Sequence, residues 1–455
     1  MSAIDFVHDT GFQDLPQDVV WEAVRCFVDT IGVGIAASQT PLSLIIRNHA
    51  ARMFGGNDAA LWVDGRKVSA VGAALANGMT IDALDAHDGH KLTKGHIGCG
   101  LIPGLVAIMQ SQHDADASEC LTCIAIGYEI GTRAGVALHA SVDDYHTSGA
   151  WIALAVAALG ARRLGLDHAQ TREAIGIAEY HGPRSQMMRC IDAPTMVKDG
   201  SGWGAMAGVS AVYLANDGFT GAPAITMEDE ALGEIWGDLG SRWCIREQYI
   251  KPYPVCRWAQ PAVEATLALI KGNGVDPDQI RSIEIETFHE AARLTSLPTN
   301  TEQAQYSLPF AVAAAACRGT IGVAEVTESG LNDEHILNLA SRVSIREGQP
   351  FNDAFPAQRL ARAHMDLTDG RCLQSNITRP KGDPEDRFPD NVVWQKFRDY
   401  AGPVLGDAWA NDFLLHAQAM PQGGSCAPLF AALAITPQDQ PQSRHSFEPR
   451  ATGTG

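Results

Sequence analysis

Between Asp85 and His96 the chain gathers Asp85, His87, Asp88, His90, Lys91, Lys94 and His96, its densest run of titratable groups between apolar segments. Histidine titrates near neutrality, and a neighbouring carboxylate fixes its tautomer and raises its basicity. Lysines close by bind substrate carboxylates as point charges. This mixture suits proton transfer at a carbon or oxygen of a small anionic molecule, with His87, Asp88, His90, Lys91 and Lys94 as substrate contacts. A metal site is the first alternative. The spacing argues against it, because Gly89 and Gly95 break the helix that would align His87 with His90, and Lys91 and Lys94 bring positive charge. A solvated loop with incidental charges is the second alternative.

Three further stretches carry candidate groups. His146 lies in Asp143-Asp-Tyr-His-Thr-Ser-Gly-Ala-Trp, ahead of a long Ala-rich helix for which Thr147 or Ser148 could serve as cap. Lys198 precedes the glycine-rich helix start Gly200-Ser-Gly-Trp-Gly-Ala, where the helix field favours an anion. The stretch is neither a Walker loop nor a dinucleotide fingerprint, since the required spacing and preceding strand are missing. Lys251-Pro-Tyr-Pro-Val-Cys-Arg-Trp places Lys251, Cys256 and Arg257 near a domain boundary. Arg257 could hold a carboxylate bidentately, whereas Cys256 reads as a small buried residue.

The elements that must position these groups are mostly helical. Val19, Val20, Ala23, Val24, Phe27 and Ile31 recur at helical spacing, and Leu61-Trp-Val-Asp-Gly-Arg-Lys-Val predicts a short strand or a hairpin with an Asp-Gly turn. From Ser69 to about Asn216 nearly everything reads as Ala- and Gly-rich helix, with small residues allowing close packing. Val68-Ser-Ala-Val-Gly-Ala-Ala-Leu and Leu101-Ile-Pro-Gly-Leu-Val predict buried helices on either side of the Asp85–His96 run. The texture changes near Gly274. Ile280-Arg-Ser-Ile-Glu-Ile-Glu-Thr-Phe alternates as a half-buried strand does, Val343-Ser-Ile-Arg and the stretch from His364 to Leu373 predict further strands, and Asp369-Gly370 a turn. Leu308 to Cys317 and Glu334 to Ala340 read as helices, and helix returns from Asn391 and around Leu414. The fold class is therefore mainly α. Residues 1–270 form an all-helical domain to which 395–437 return, 271–394 form a smaller α+β domain, and the polar tail 438–455 reads as disordered.

Composition bounds the function. The 455 residues exceed one ordinary core. A net charge of −19 disfavours nucleic acid and anionic membrane as partners, so an anionic ligand needs a local basic pocket. The N-terminus lacks the pattern of a signal peptide, and no apolar run reaches membrane-spanning length. The 10 cysteines are scattered; Cys120 and Cys123 form a C-x-x-C with no matching second pair, read as core residues of a reducing cytoplasm rather than zinc ligands. No cofactor and no metal are expected.

The order and spacing of several stretches resemble the MmgE/PrpD family over roughly residues 10 to 400. They are Asp29-Thr-Ile-Gly-Val-Gly, Ala76-Asn-Gly-Met, Leu84-Asp-Ala-His-Asp, Gly95-His-Ile-Gly, the His146 and Lys198 loops, Lys251-Pro-Tyr-Pro and Tyr306-Ser-Leu-Pro-Phe. The resemblance implies a large helical domain, a smaller α+β lid, a homodimer, and an active site in the cleft. It implies Asp85, His96, His146 and Lys198 as catalytic residues. It further implies a cofactor-independent lyase, a dehydratase like 2-methylcitrate dehydratase, acting on a small hydroxy-di- or tricarboxylate. Epimerase and decarboxylase are alternatives within the family, and a non-catalytic anion-binding paralogue lies outside enzymology. The sequence departs from the family pattern at Gly89 (usually Thr), at Ile97 after the motif histidine (usually Pro) and at Phe310 (usually Tyr). Lys91 and Lys94 make the expected pocket more cationic.

Overall fold

The computed structural model describes residues 1–436, so the tail 438–455 lies outside the described residues. The N-terminal part is built on helices with few charged stripes. Gln17–Ala37 is buried along nearly its whole length. Ala70–Asp82, Gly98–Ser111 and Ala117–Ser141 pack against it, and Gly149–Leu164 and Ser201–Asn216 pack on those helices in turn. Side-chain oxygens set two of the starts: Ser69 accepts from the Gly72 N–H, and Asp116 from the Glu119 N–H.

Small residues determine how near these helices come. A Cβ added at Gly78 would stand 2.6 Å from the Cα of Gly202. One added at Gly202 would stand 2.2 Å from the Leu75 carbonyl oxygen. Ala70–Asp82 and Ser201–Asn216 therefore touch backbone to backbone, and a methyl group there would force them apart at a cost of about 1–3 kcal/mol. This contact fixes the end of Ala70–Asp82, where the Asp82–His96 segment begins, against the start of Ser201–Asn216, where Lys198 lies.

The predicted α+β region follows the alternation read from sequence. A four-stranded sheet has the order 343–347, 280–287, 361–367, 372–374. Ile280–Thr287 pairs in parallel with Val343–Glu347, Ile283 opposite Val343, and antiparallel with Ala361–Leu367, Thr287 opposite Ala361. Residues 361–367 alternate strictly between buried and half-buried, and Gly370 turns the chain at φ 91° into Cys372–Gln374. Gln260–Asn273 and Leu308–Arg318 pack together beside the sheet. The final helices return to the N-terminal part: Asp390–Leu405 lies along Gln17–Ala37, and Phe413 of Asp407–Ala419 stacks on Phe27 at 6.2 Å.

Two local expectations need correction. The hairpin near Asp64-Gly65 is formed by Ala59–Ala60 and Lys67–Val68, outside most of the predicted strand, because Leu61, Trp62 and Val63 are drawn into the core. Ser148 occupies the cap position of Gly149–Leu164 but makes no cap bond; its hydroxyl is used at the site described next. Among the described residues no helix is long and apolar enough to cross a membrane.

Candidate active site

The stretch 83–97 leaves Ala70–Asp82 as an irregular segment and enters Gly98–Ser111. Asp85, Lys94 and Lys198 all have left-handed backbones, at φ 49°, 54° and 48°. Such conformations cost non-glycine residues about 1–3 kcal/mol each and persist where surrounding structure over-determines them. Asp85 and Lys198 belong to one centre, and Lys94 lies on the same segment as Asp85.

Asp85 is buried, and Lys251 grips it twice, with Nζ 2.6 Å from Oδ1 and 2.7 Å from the backbone oxygen. His96 brings Nε2 3.7 Å from Asp85 Oδ1 and 3.6 Å from Asp199 Oδ2. Its Nδ1 donates to the Asp88 carbonyl. Ser148 accepts from the His96 N–H at 2.9 Å and donates to Asp199 Oδ2 at 2.8 Å. His87 lies edge-on to His96, ring centres 4.2 Å apart, with Nε2 3.4 Å from Asp82 Oδ1. Lys198 donates to Gln305, whose amide donates to the Ala83 carbonyl at 2.8 Å, and Nζ lies 4.4 Å from the Tyr306 ring centre. Gln305 and Tyr306 come from the α+β side, so the centre lies where the two parts meet.

Electrostatics divides these groups. Burial alone would raise Asp85, yet Lys251 and then Lys198 hold it far below the usual carboxylate range. Burial lowers both imidazoles: His96 falls well below its ordinary value and His87 to about 3, so both are neutral at pH 7. Burial raises Asp199, helped by the Asp82 and Asp85 charges. Burial also raises Asp82. Asp88 is pushed up to about 7 by burial, with the Asp29 charge adding to it. With Nδ1–H given to Asp88, His96 turns the lone pair of Nε2 towards two carboxyl groups.

The structure thus brings Asp85, His96, His87 and Lys198 together, and adds Asp82, Asp199, Lys251, Gln305 and Tyr306. The helix start after Lys198, expected to attract an external anion, already receives Asp82: Oδ2 accepts from the Ser201 N–H at 3.1 Å. The Asp88 side chain turns away from His96 towards Thr30 and Tyr128, near Gly98. Gly89 has a steric cause, since a Cβ there would stand 2.5 Å from the Tyr249 hydroxyl. Phe310 is buried, whereas the ring of Tyr306, four residues earlier, meets Lys198.

The remaining predicted residues form an outer shell. His90 pairs with Glu247 at 3.1 Å. Lys91 bonds Glu385 at 2.6 Å and Asp383 at 3.1 Å, and Arg257 is bound by Asp383 at 2.5 Å, Gln260 and the Lys381 carbonyl. Lys94 lies over the Tyr145 ring, 4.1 Å from its centre. His146 is half-buried; its Nδ1 faces the Asp144 carbonyl at 3.1 Å, and its N–H donates to His139. No hydrogen bond or ion pair among the described residues links His146 to Asp85, His96 or Lys198. Asp85, His87 and His96 offer three atoms within 4.8 Å of one another, as a metal site would, but the Lys251 ammonium already sits on the Asp85 oxygen. A cleft of about 1030 Å³ between 250–253, 320–327 and 388–403 reaches Lys396 but is not lined by Asp85, His96 or Lys198.

Sequence reasoning did not single out Asp82, Asp199, Gln305 or the hydroxyl of Ser148 for chemistry. Asp199 carried a weak signal, a carboxylate directly behind the candidate lysine. Asp82 carried none beyond its place at the end of a buried helix.

Fold and centre together define a mainly helical protein whose buried acid–base groups abut a small α+β unit. The chain belongs to the MmgE/PrpD family: the family's N-terminal domain matches residues 3–241 and its C-terminal domain residues 253–419. It is 22% identical over 445 residues to a cis-aconitate decarboxylase-like protein of Aspergillus oryzae, covering 86% of this chain and 88% of that one. It is also 22% identical over 436 residues to a cis-aconitate decarboxylase of Aspergillus terreus, covering 87% of each.

Proposed function

We propose that the protein is a cofactor-independent lyase that removes water from a small hydroxy-di- or tricarboxylate. One observation carries this reading: a neutral His96 imidazole stands between Asp85, held ionised, and Asp199, raised by burial. A base and an acid side by side, with pKa values driven apart, are what elimination requires. His96 Nε2 takes the proton from the carbon next to a carboxylate. The electron pair left behind forms the carbon–carbon double bond as the carbon–oxygen bond breaks, and the hydroxyl leaves as water with the proton of Asp199. Negative charge develops on the carboxylate during abstraction, and Lys198, fixed in a dry site, stabilises it. Lys251 keeps Asp85 in place. His146 donates Nδ1–H to Asp144, which leaves Nε2 free to exchange protons with solvent on the loop that ends in Ser148. The α+β unit, residues 271–394, acts as the lid through which substrate reaches the centre, a reading supported by Gln305 and Tyr306 closing over Lys198. A cytoplasmic homodimer is part of the same proposal.

Decarboxylation is a second reading, favoured by the names of the Aspergillus relatives. Proton NMR in deuterated water separates the two, with a panel of hydroxy-polycarboxylates and their unsaturated counterparts. Elimination gives solvent exchange and a vinyl signal with the carbon skeleton intact. Loss of one carbon as carbon dioxide identifies the decarboxylase, and exchange with new diastereomer signals an epimerase. Absence of exchange from every compound contradicts the enzyme reading.

A further inference from the structure

Arg359 is 2% exposed and lies in the α+β part, where it reaches back to the Asp85–His96 segment. Its Nη2 donates to the Lys91 carbonyl at 3.0 Å. Its Nε and Nη1 have no hydrogen-bond partner among the described residues, although both are buried. The guanidinium is held by aromatic faces, 5.7 Å from the Tyr249 ring centre and 5.9 Å from that of Phe355. A buried arginine is ordinarily paired, because desolvating its charge without compensation is expensive.

The nearby acid does not supply the pairing. Asp383 accepts from Arg257 at 2.5 Å and lies 3.1 Å from Lys91. Lys94 is a second cation without a carboxylate within ion-pairing distance; its Nζ reaches only the Leu92 carbonyl at 3.5 Å and the Tyr145 ring. Tyr145, beneath Lys94, packs on Phe355 with ring centres 6.3 Å apart, and Phe355 lies beside Arg359; burial and then the Arg359 charge bring Lys94 down to about 8. Tyr249 sets its hydroxyl against Gly89 of the Asp85–His96 segment and its ring against Arg359 and Arg257.

We propose that Arg359, with Lys94, forms a carboxylate subsite at the domain seam, which binds a carboxylate remote from the reacting carbon and selects di- and tricarboxylates over monocarboxylates. This rests on the lyase reading for the location of the reacting carbon, but not for the binding itself. The planar guanidinium of Arg359 leaves Nε–H and Nη1–H, on different edges, as donors for carboxylate oxygens, and the aromatic faces keep its plane from rotating. Neither residue needs to leave an internal acid when the ligand arrives.

Isothermal titration calorimetry tests this with tricarballylate, a tricarboxylate without a hydroxyl to eliminate, and with propionate as the monocarboxylate. Arg359→Gln is expected to weaken tricarballylate by about 30-fold or more and propionate by less than threefold. Arg359→Lys, which retains the charge and loses the Nε–H and Nη1–H donors, is expected to weaken tricarballylate at least fivefold. If Arg359→Gln does not fold, as judged by circular dichroism, Arg359→Lys decides. Tricarballylate affinity within threefold of wild type in the deciding variant overturns the subsite, as does a wild-type protein that binds tricarballylate no better than propionate. Turnover is read separately. An Arg359-dependent affinity in a protein that eliminates nothing leaves the subsite standing and removes the lyase reading. Turnover with undiminished binding in Arg359→Gln does the reverse.

Discussion

One short run of sequence supplies two regions of opposite electrostatic character. Asp85, His87 and His96 turn inward, where Asp82, Asp199, Lys198 and Lys251 meet them in a buried cluster that shifts their proton affinities apart. His90 and Lys91, from between them, turn towards the α+β part and are matched by acids: His90 by Glu247, and Lys91 by Asp383 and Glu385. Identical residue types therefore have different uses. A charge with a close partner in a partly wet shell mainly fastens two parts of the molecule together. A charge buried among others, with more carboxyl groups than cations to satisfy them, holds protons in unusual places.

The inner cluster is the more sensitive of the two regions to substitution. Lys198→Met removes a cation proposed to stabilise the developing charge and is expected to lower kcat by about 10³-fold, measured as product formation at saturating substrate. Asp199→Asn keeps the shape and removes the proton, with an expected loss of about 10²-fold in kcat and a change in the alkaline side of the pH–rate profile. His146→Ala sharpens the boundary between the regions. A solvent-side proton carrier predicts a loss of about 10-fold to 100-fold, relieved by added imidazole, whereas a purely structural loop histidine gives no rescue.

The smallest effect concerns stability. The folded Asp88 carboxyl is raised to about 7, against an ordinary value of about 3.9 in the unfolded chain. Its contribution is fully present below the unfolded value and is lost as pH rises through the folded one. The melting temperature is therefore expected to decline between about pH 4 and 7 through this residue, and Asp88→Asn to show a shallower decline. Asp82 and Asp199 act with the same sign, so the slope is reduced rather than abolished.

Much of this was legible before the structure. Alternation in Ile280–Thr287 marks the sheet, because a period of two survives without knowledge of any partner, whereas the strand read from His364 begins three residues earlier, at Ala361. The density of histidine, aspartate and lysine marks the segment 85–96, and Lys198 stands out before its glycines. What sequence could not convey is which groups face each other across long separations. Lys251 meets Asp85 over 166 positions, and Ser148 meets Asp199 over 51. Ser148 reads locally as a helix cap, and only tertiary packing gives its hydroxyl another partner. Lys91 and Arg257 read as free cations because the acids that bind them, Asp383 and Glu385, lie far along the chain.

The most direct test sets Lys198→Met beside Lys91→Met, with one shared substrate, and measures the rate of deuterium exchange at the carbon next to the carboxylate. An interior acid–base centre with a paired outer shell predicts a loss of about 100-fold or more in the first variant and less than about threefold in the second. Equal losses, or a larger loss in Lys91→Met, would contradict it.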